Sequence, residues 1–96
     1  MKPHKSILVG PEDWDRCYVC LGRAEACHHI FFGPNRKVSE REGFTVPLCN
    51  HCHNMSDDGV HFNIRLDYSL KRKAQRKYEE THTREEFIKL IGRNYL

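Results

Sequence analysis

The chain has 96 residues, of which 39% are hydrophobic and 30% charged, and its formal net charge is only +3. No apolar run approaches the roughly 20 residues of a membrane span, and residues 7–9 are too short an apolar stretch for a secretory signal. These values exclude a membrane protein and predict an intracellular, cytoplasmic one. A single domain of this length buries little surface, so we expect it to need a further stabilising element.

The first half of the chain is predicted to consist of strands and loops, because it contains all four prolines. Residues 1–13 are expected to form a loose N-terminal segment. Residues 26–32 and 43–48 have the composition of strands, and Gly33-Pro34-Asn35 follows the first of them with turn chemistry. We therefore predict a hairpin with a long loop, at the start of a core that covers residues 17–63.

The second half is predicted to be helical. A helix of barely two turns begins near Cys49 and ends near Met55, before the turn residues 56–59. In residues 64–96, apolar side chains recur every four positions and predict the buried stripe of a longer helix: Leu66, Leu70, Ala74 and Tyr78. Thr83 and Glu86 form a capping box that opens a last helix, which ends at Gly92. Its inward residues are expected to be Phe87, Ile88 and Ile91.

Two Cys-x-x-Cys pairs, Cys17 with Cys20 and Cys49 with Cys52, have the spacing with which two thiolates bind one tetrahedral ion. Together they would fill all four positions, which predicts a structural zinc site that leaves no place for water or substrate. A redox dithiol is the alternative, although it normally uses one pair. The fifth cysteine, Cys27, is expected to be a small buried apolar residue rather than a ligand.

Three further segments carry a resemblance. They are Cys27-His28-His29-Ile30-Phe31-Phe32, then Leu48-Cys49-Asn50-His51-Cys52-His53, and then Gly59-Val60-His61-Phe62-Asn63. This order of residues resembles the HNH endonuclease superfamily, and most closely small phage-type members with a four-cysteine zinc site. The resemblance implies a small α+β fold with a zinc-braced ββα-metal, treble-clef-like core and C-terminal helices. It also implies hydrolysis of DNA phosphodiester bonds to 5′-phosphate and 3′-hydroxyl ends.

The resemblance implies that His28 and His53 are ligands of a catalytic metal, that His61 is the third, and that His29 is the general base. The residues support this division of roles, because neighbouring side chains of a strand point to opposite faces. One histidine can then ligate while the other stays free to act as a general base. Imidazoles with open positions accept Mg²⁺, Mn²⁺, Ni²⁺ or Zn²⁺. The remaining histidines, His4, His51 and His82, are expected to be bystanders.

The family's middle Asn is missing from residues 43–47. Asn35 could orient His29 instead or simply form a turn. Asp57 and Asp58 could be substitute ligands or, again, turn residues. Arg36 and Lys37 could contact phosphates or be solvated loop charges.

A basic cluster lies on the longer predicted helix and contains Lys71, Arg72, Lys73, Arg76 and Lys77. Its members could bind nucleic acid, chiefly through Lys73, Arg76 and Lys77, or form a solvated helix face. We therefore expect a metal-dependent DNA endonuclease or nickase, with a non-catalytic zinc module that binds nucleic acid or a partner as the alternative. A third possibility is a nuclease that works within a larger phage packaging or recombination assembly.

Overall fold

The computed structural model of the chain describes residues 2–54 and 59–96. These residues form a small α+β structure with one two-stranded sheet and several helices. In chain order the elements are β1 (Ala26–His29), α1 (Arg36–Glu42), β2 (Thr45–Leu48), α2 (Asn50–His53), α3 (Ile64–Tyr78) and α4 (Arg84–Ile91). Single 3₁₀ turns lie at Pro11–Asp13 and Gly33–Asn35.

The two predicted strands pair antiparallel, with His28 opposite Val46 and His29 opposite Thr45. The expected long loop between them is wrong, because most of that connection is the helix α1. The buried Ser39 hydroxyl fixes α1 to the end of β1. It accepts a hydrogen bond from the Phe31 N–H at 3.0 Å and donates one to the Phe31 carbonyl at 2.6 Å. Since the Phe31 peptide groups bond to Ser39, the regular strand ends at His29.

The short helix α2 begins where the sequence predicted. Cys49 is its N-cap residue, and the Cys49 sulfur accepts the N–H of Cys52 at 3.4 Å. The described part of the helix ends at His53. Its predicted end at Met55, and the candidate ligands Asp57 and Asp58, lie outside the described residues.

The two C-terminal helices follow their sequence signals. In the predicted stripe of α3, Leu70 and Ala74 are buried, while Leu66 and Tyr78 pack at the edge of the core. The capping box of α4 is formed in both directions, and Gly92 ends the helix in the left-handed conformation. Ile88 is an exception to the prediction, since it is 38% exposed. Phe87 and Ile91, which are four residues apart, are the buried residues of α4, and Leu90 packs partly buried against the core.

The N-terminal segment is anchored, which corrects the expectation of a loose one. The Ile7 N–H donates to the Gly43 carbonyl at 2.9 Å, and the Thr45 hydroxyl donates to the Lys5 carbonyl at 2.7 Å. These bonds hold the segment against the start of β2. No helix within the described residues combines the length and the apolar character that crossing a bilayer requires.

The core lies between the sheet and the C-terminal helices. Phe31, Phe44 and Phe87 meet there edge to face, with ring centroids 5.2 to 6.2 Å apart. This packing holds α4 against the segment that links β1, α1 and β2. One side of the sheet is thereby covered, and the histidines of β1 lie outside the aromatic core.

Candidate metal centres

The four cysteines of the two Cys-x-x-Cys pairs lie together, and their sulfur atoms are all within 4.8 Å of one another. The Cys20 and Cys49 sulfurs are 3.6 Å apart. Four thiolates at about 2.3 Å from a tetrahedral zinc ion would be separated by about 3.8 Å. The cysteine cluster, Cys17, Cys20, Cys49 and Cys52, could therefore hold a metal ion.

Local backbone structure positions the first pair of cysteines. Cys17 and Cys20 lie in a tight loop that is closed by the antiparallel bridge between Arg16 and Arg23. Within this loop Leu21 has a left-handed φ of 66°, and the next residue, Gly22, donates its N–H to the Cys20 sulfur at 3.4 Å. Peptide N–H groups directed at sulfur stabilise thiolate charge. The loop is thus shaped to present thiolates.

The electrostatics of the cysteine cluster favour a bound cation. Burial opposes ionisation of Cys17, but neighbouring backbone N–H groups, above all that of Cys20, bring the pKa of its thiol down to about 7. Burial and the adjacent thiols raise the pKa of Cys52. Four thiols so close together cannot all ionise unless a cation balances their charge.

A second group of ligand atoms belongs to the histidine cluster, His28, His53 and His61, in which one nitrogen from each ring lies within 4.8 Å of the others. The His53 and His61 Nε2 atoms are 3.1 Å apart. His28 is only 2% exposed, and its Nε2 has no hydrogen-bond partner among residues 2–54 and 59–96. Burying an imidazole nitrogen without a partner costs folding free energy unless the nitrogen binds something. A metal ion is a suitable partner for it.

Two of the three imidazoles, those of His28 and His53, are shifted toward the neutral form that metal binding requires. Burial, followed by the nearby His53 and His61, lowers the pKa of His28 to about 3. Burial and His61 also lower the pKa of His53. Neutral rings keep a lone pair for a cation. The convergence of these histidines, which the sequence analysis expected, is present in the structure.

The helix α2 and the segment after it bring the histidine cluster together. Cys52 and His53 are adjacent on α2, so one helix serves both clusters. The Val60 N–H donates to the Cys52 carbonyl at 2.7 Å, and the His61 N–H to the His53 carbonyl at 3.2 Å. A Cβ at Gly59 would lie 3.0 Å from the backbone of α2, so this close return favours glycine.

His29 lies on the opposite face of β1 from His28, as strand alternation predicts. Its Nε2 is 2.6 Å from Glu40 Oε2, while Glu40 Oε1 is 2.9 Å from His4 Nδ1. Hydrogen bonds from His4 and then His29 keep the pKa of Glu40 below its usual range. No sequence pattern pointed to Glu40, and the prediction that His4 is a bystander is wrong, because His4 bonds to Glu40. A helical interpretation of residues 36–42 would have placed Arg36 and Glu40 one turn apart on the same face.

Two hollows meet at His29. An open cleft of about 280 Å³ is lined by His4, His29, Arg36, Lys37 and Glu40. An adjoining hollow of about 180 Å³ reaches the histidine cluster and is also lined by His29 and Arg36. The predicted base and one predicted phosphate contact therefore lie between the cleft and the histidine cluster.

His4, Cys27 and Glu40 form a third group with ligand atoms within 4.8 Å. Both oxygens of the Glu40 carboxylate are already bonded to imidazoles, and burial and the Glu40 charge raise the pKa of Cys27 to about 11. Arg36 and Lys37 line the adjacent cleft. The surroundings therefore favour an anion in the cleft, and we assign no metal to this group.

The other predicted site residues lie apart from the clusters. Asn35 Nδ2 donates to the Ile91 carbonyl at 3.0 Å, which joins the turn before α1 to the end of α4; within the described residues Glu40, not Asn35, bonds to the His29 side chain. His82, expected to be a bystander, stacks on Tyr78 at a centroid distance of 4.0 Å.

The basic cluster of α3 is smaller than the sequence suggests. Lys73, Arg76 and Lys77 are exposed, and Lys77 pairs with Glu80 at 3.3 Å. Lys71 is buried and pairs with Asp67 at 2.8 Å, so it does not contribute to a phosphate-binding face.

Comparison with protein-family models, with curated proteins and with solved structures gives no match to this chain, so any assignment of function depends on the residues themselves.

Proposed function

We propose that the chain is a metal-dependent DNA endonuclease or nickase with a zinc-braced, treble-clef-like ββα-metal core, as the resemblance to the HNH endonuclease superfamily implies. One observation carries the proposal. His28 and His29 are neighbours on β1, yet one joins a cluster of three imidazoles and the other borders the adjoining cleft. The order β1, β2, α2, with contacts between all three elements, supports the proposed core.

Each cluster has its own role in this proposal. The cysteine cluster would hold a structural Zn²⁺, because four thiolates leave no open position. The histidine cluster would hold one divalent ion, Mg²⁺, Mn²⁺, Ni²⁺ or Zn²⁺, which when bound would neutralise charge on the scissile phosphate and the departing oxygen. Its residues fit a cation, since they bring three imidazole nitrogens together and include the unpartnered Nε2 of His28.

The remaining chemistry is done by side chains around the cleft. His29 would accept a proton from the water that attacks phosphorus, and the bond from phosphorus to the 3′ oxygen would break. The products are then a 5′-phosphate and a 3′-hydroxyl end. Arg36, which lines both hollows, and Lys37 would hold flanking phosphates. No base-reading element is evident in residues 2–54 and 59–96, so we propose little sequence preference.

The test is incubation of supercoiled plasmid with the protein and Mg²⁺, Mn²⁺, Ni²⁺ or Zn²⁺ in turn. We expect nicking with at least one metal and a loss of about 100-fold or more in rate for His29→Ala, the scale of general-base catalysis. His82→Ala is the matched control, because it removes an imidazole remote from both clusters. Absence of nicking with every metal, or equal rates for His29→Ala and wild type, would contradict the proposal.

A second proposal is a non-catalytic module that binds nucleic acid or a partner through α3. The exposure of Lys73, Arg76 and Lys77 favours it. It predicts an affinity that falls steeply with salt, that is lost when these three side chains are neutralised, and that is unchanged by His29→Ala. A place in a larger phage packaging or recombination assembly stays a prediction without a supporting contact.

A further inference from the structure

Glu40 bonds to two imidazoles that come from distant parts of the chain. We infer that Glu40 is the positioning residue of the His29 base and that His4 holds Glu40 in place. This inference rests on the proposed function, because it assigns the orientation of His29 to the same reaction. Sequence reasoning found neither partner, since Glu40 lies in a segment predicted as a loop and His4 in one predicted to be loose.

The donors and acceptors fix the ring. A carboxylate only accepts hydrogen bonds, so the His29 Nε2 donates to Glu40 Oε2 across their 2.6 Å separation. A neutral imidazole that carries its hydrogen on Nε2 keeps its lone pair on Nδ1. Glu40 therefore selects the tautomer in which Nδ1 can accept a proton from water. It also limits rotation of the ring.

The backbone around Glu40 is held in register with β1. The preceding residue, Ser39, is fully buried, and its hydroxyl bonds to both peptide groups of Phe31. Phe31 follows His29 by two residues, so α1 is fixed to the same strand that carries the base. The contact between Glu40 and His29 is thus set by a rigid pairing of two elements rather than by a loop.

His4 engages the second oxygen of the carboxylate, with its Nδ1 2.9 Å from Glu40 Oε1. Its own position is secured by the anchored N-terminal segment and by Trp14, whose ring lies 5.5 Å from the His4 ring. Arg36 and Lys37 line the same cleft and would compete for the carboxylate. By occupying Oε1, His4 keeps Glu40 directed at His29 and leaves the two basic side chains available for phosphate.

The experiment compares Glu40→Ala with Glu42→Ala, which removes the same charge from the same helix. Glu40 is about half exposed, so its truncation should not impair folding. We expect kcat for plasmid nicking to fall about 10- to 100-fold for Glu40→Ala, the scale for carboxylates that orient imidazoles. KM and zinc content should stay unchanged. Glu42→Ala should match the wild type, and His4→Ala should lose a few-fold.

Nitrogen-15 NMR of the histidine side chains gives a readout independent of cleavage. His29 in the wild type should carry its hydrogen on Nε2, and Glu40→Ala should shift it toward a mixture of both tautomers. A wild-type His29 with its hydrogen on Nδ1 would overturn the inference. So would a chain that cuts DNA while Glu40→Ala cuts equally fast. If the chain fails to cut DNA with any of the metals, the proposed function is overturned, and with it any catalytic role for Glu40. The tautomer of His29 still shows in that case whether the contact with Glu40 exists.

Discussion

The cysteine cluster and the histidine cluster lie at the same short helix, yet they differ in every property that decides a metal site's role. Cys49 and Cys52 of the first cluster and His53 of the second are contributed within five consecutive residues. Four sulfurs can close the coordination of one ion, whereas three imidazoles leave positions open. Under the proposed function, stability and chemistry are separated across α2, with one cluster for each.

The surroundings of the two clusters differ in the same sense. Sulfurs of the cysteine cluster accept hydrogen bonds from backbone N–H groups, such as those of Gly22 and Cys52. These bonds stabilise the negative charge of a thiolate. In the histidine cluster, by contrast, the buried Nε2 of His28 has no partner in the described parts of the chain. A chain that folds at a cost in order to collect three imidazoles is organised for binding at that place.

The largest expected effect is loss of the cysteine cluster. Cys17→Ser should remove one equivalent of zinc and cost several kcal/mol, a large share of the about 5–15 kcal/mol that holds a small domain folded. The physical reason is that metal binding free energy is folding free energy when the unfolded chain has no preformed site. Circular dichroism during thermal unfolding, together with elemental analysis, measures both losses.

The control for this prediction is Cys27→Ala, which removes a thiol outside the cluster. It should retain one equivalent of zinc at the cysteine cluster and unfold near the wild-type temperature. A strong chelator should reproduce the unfolding of Cys17→Ser in the wild-type chain. If Cys17→Ser keeps both its zinc and its unfolding temperature, then the cysteine cluster does not hold the fold.

The second expected effect concerns the histidine cluster, where we expect a substitution to abolish activity but to leave the fold intact. His53→Ala should lower bound metal from two equivalents to one and reduce nicking by at least about 100-fold, while the fold survives with zinc still at the cysteine cluster. Removing this partly buried imidazole leaves all four cysteines of the other cluster in place, so it should not weaken the fold in the way that losing a zinc ligand does. Isothermal titration with Mn²⁺ or Ni²⁺ counts the sites. An unfolded His53→Ala variant would end the proposed separation of roles.

Much of this arrangement is written locally in the sequence. Cys-x-x-Cys spacing, strand alternation at His28 and His29, and the capping box at Thr83 all depend on residues a few positions apart. Such patterns can be interpreted without knowing the fold. They brought the four cysteines together, marked the last helix, and put His28 and His29 on opposite faces of β1. They could not place His61 beside His53, because that depends on how residues 59–61 return to α2.

The features that were missed depend on contacts between distant residues. The helix α1 has only Val38 as an apolar side chain, so no hydrophobic period announces it, and Ser39 fixes it through bonds to Phe31. The contact of Glu40 with His29 could not be predicted without that helix. The N-terminal segment is held by one backbone bond to Gly43 and by hydroxyl-to-carbonyl bonds between Ser6, Thr45 and Lys5, and single hydroxyl groups leave no periodic pattern in the sequence. Burial of Lys71 was signalled only by Asp67 four positions earlier.

The smallest expected effect lies away from both clusters and sharpens the comparison between them. Thr83→Ala removes the hydroxyl that accepts the Glu86 N–H at 3.1 Å and should cost about 1 kcal/mol. For a domain of this size that corresponds to a fall of about 4–8 °C in Tm. Metal content and nicking rate at 25 °C should stay at wild-type values. Calorimetry and metal analysis of the same sample decide this, and a loss of either metal would show that the two clusters respond to general destabilisation.

The pH dependence of the Tm difference between the wild type and Thr83→Ala shows whether that difference arises from the capping box. Hydrogen bonds from the Thr83 backbone and hydroxyl hold the pKa of Glu86 below its usual range. A carboxyl group with a depressed folded pKa stabilises fully above its unfolded pKa, and this stabilisation is lost as pH falls through the folded value. The advantage of the wild type over Thr83→Ala should therefore narrow in acid. A difference in Tm that widens as pH falls would mean that the capping box is not where the stability is lost.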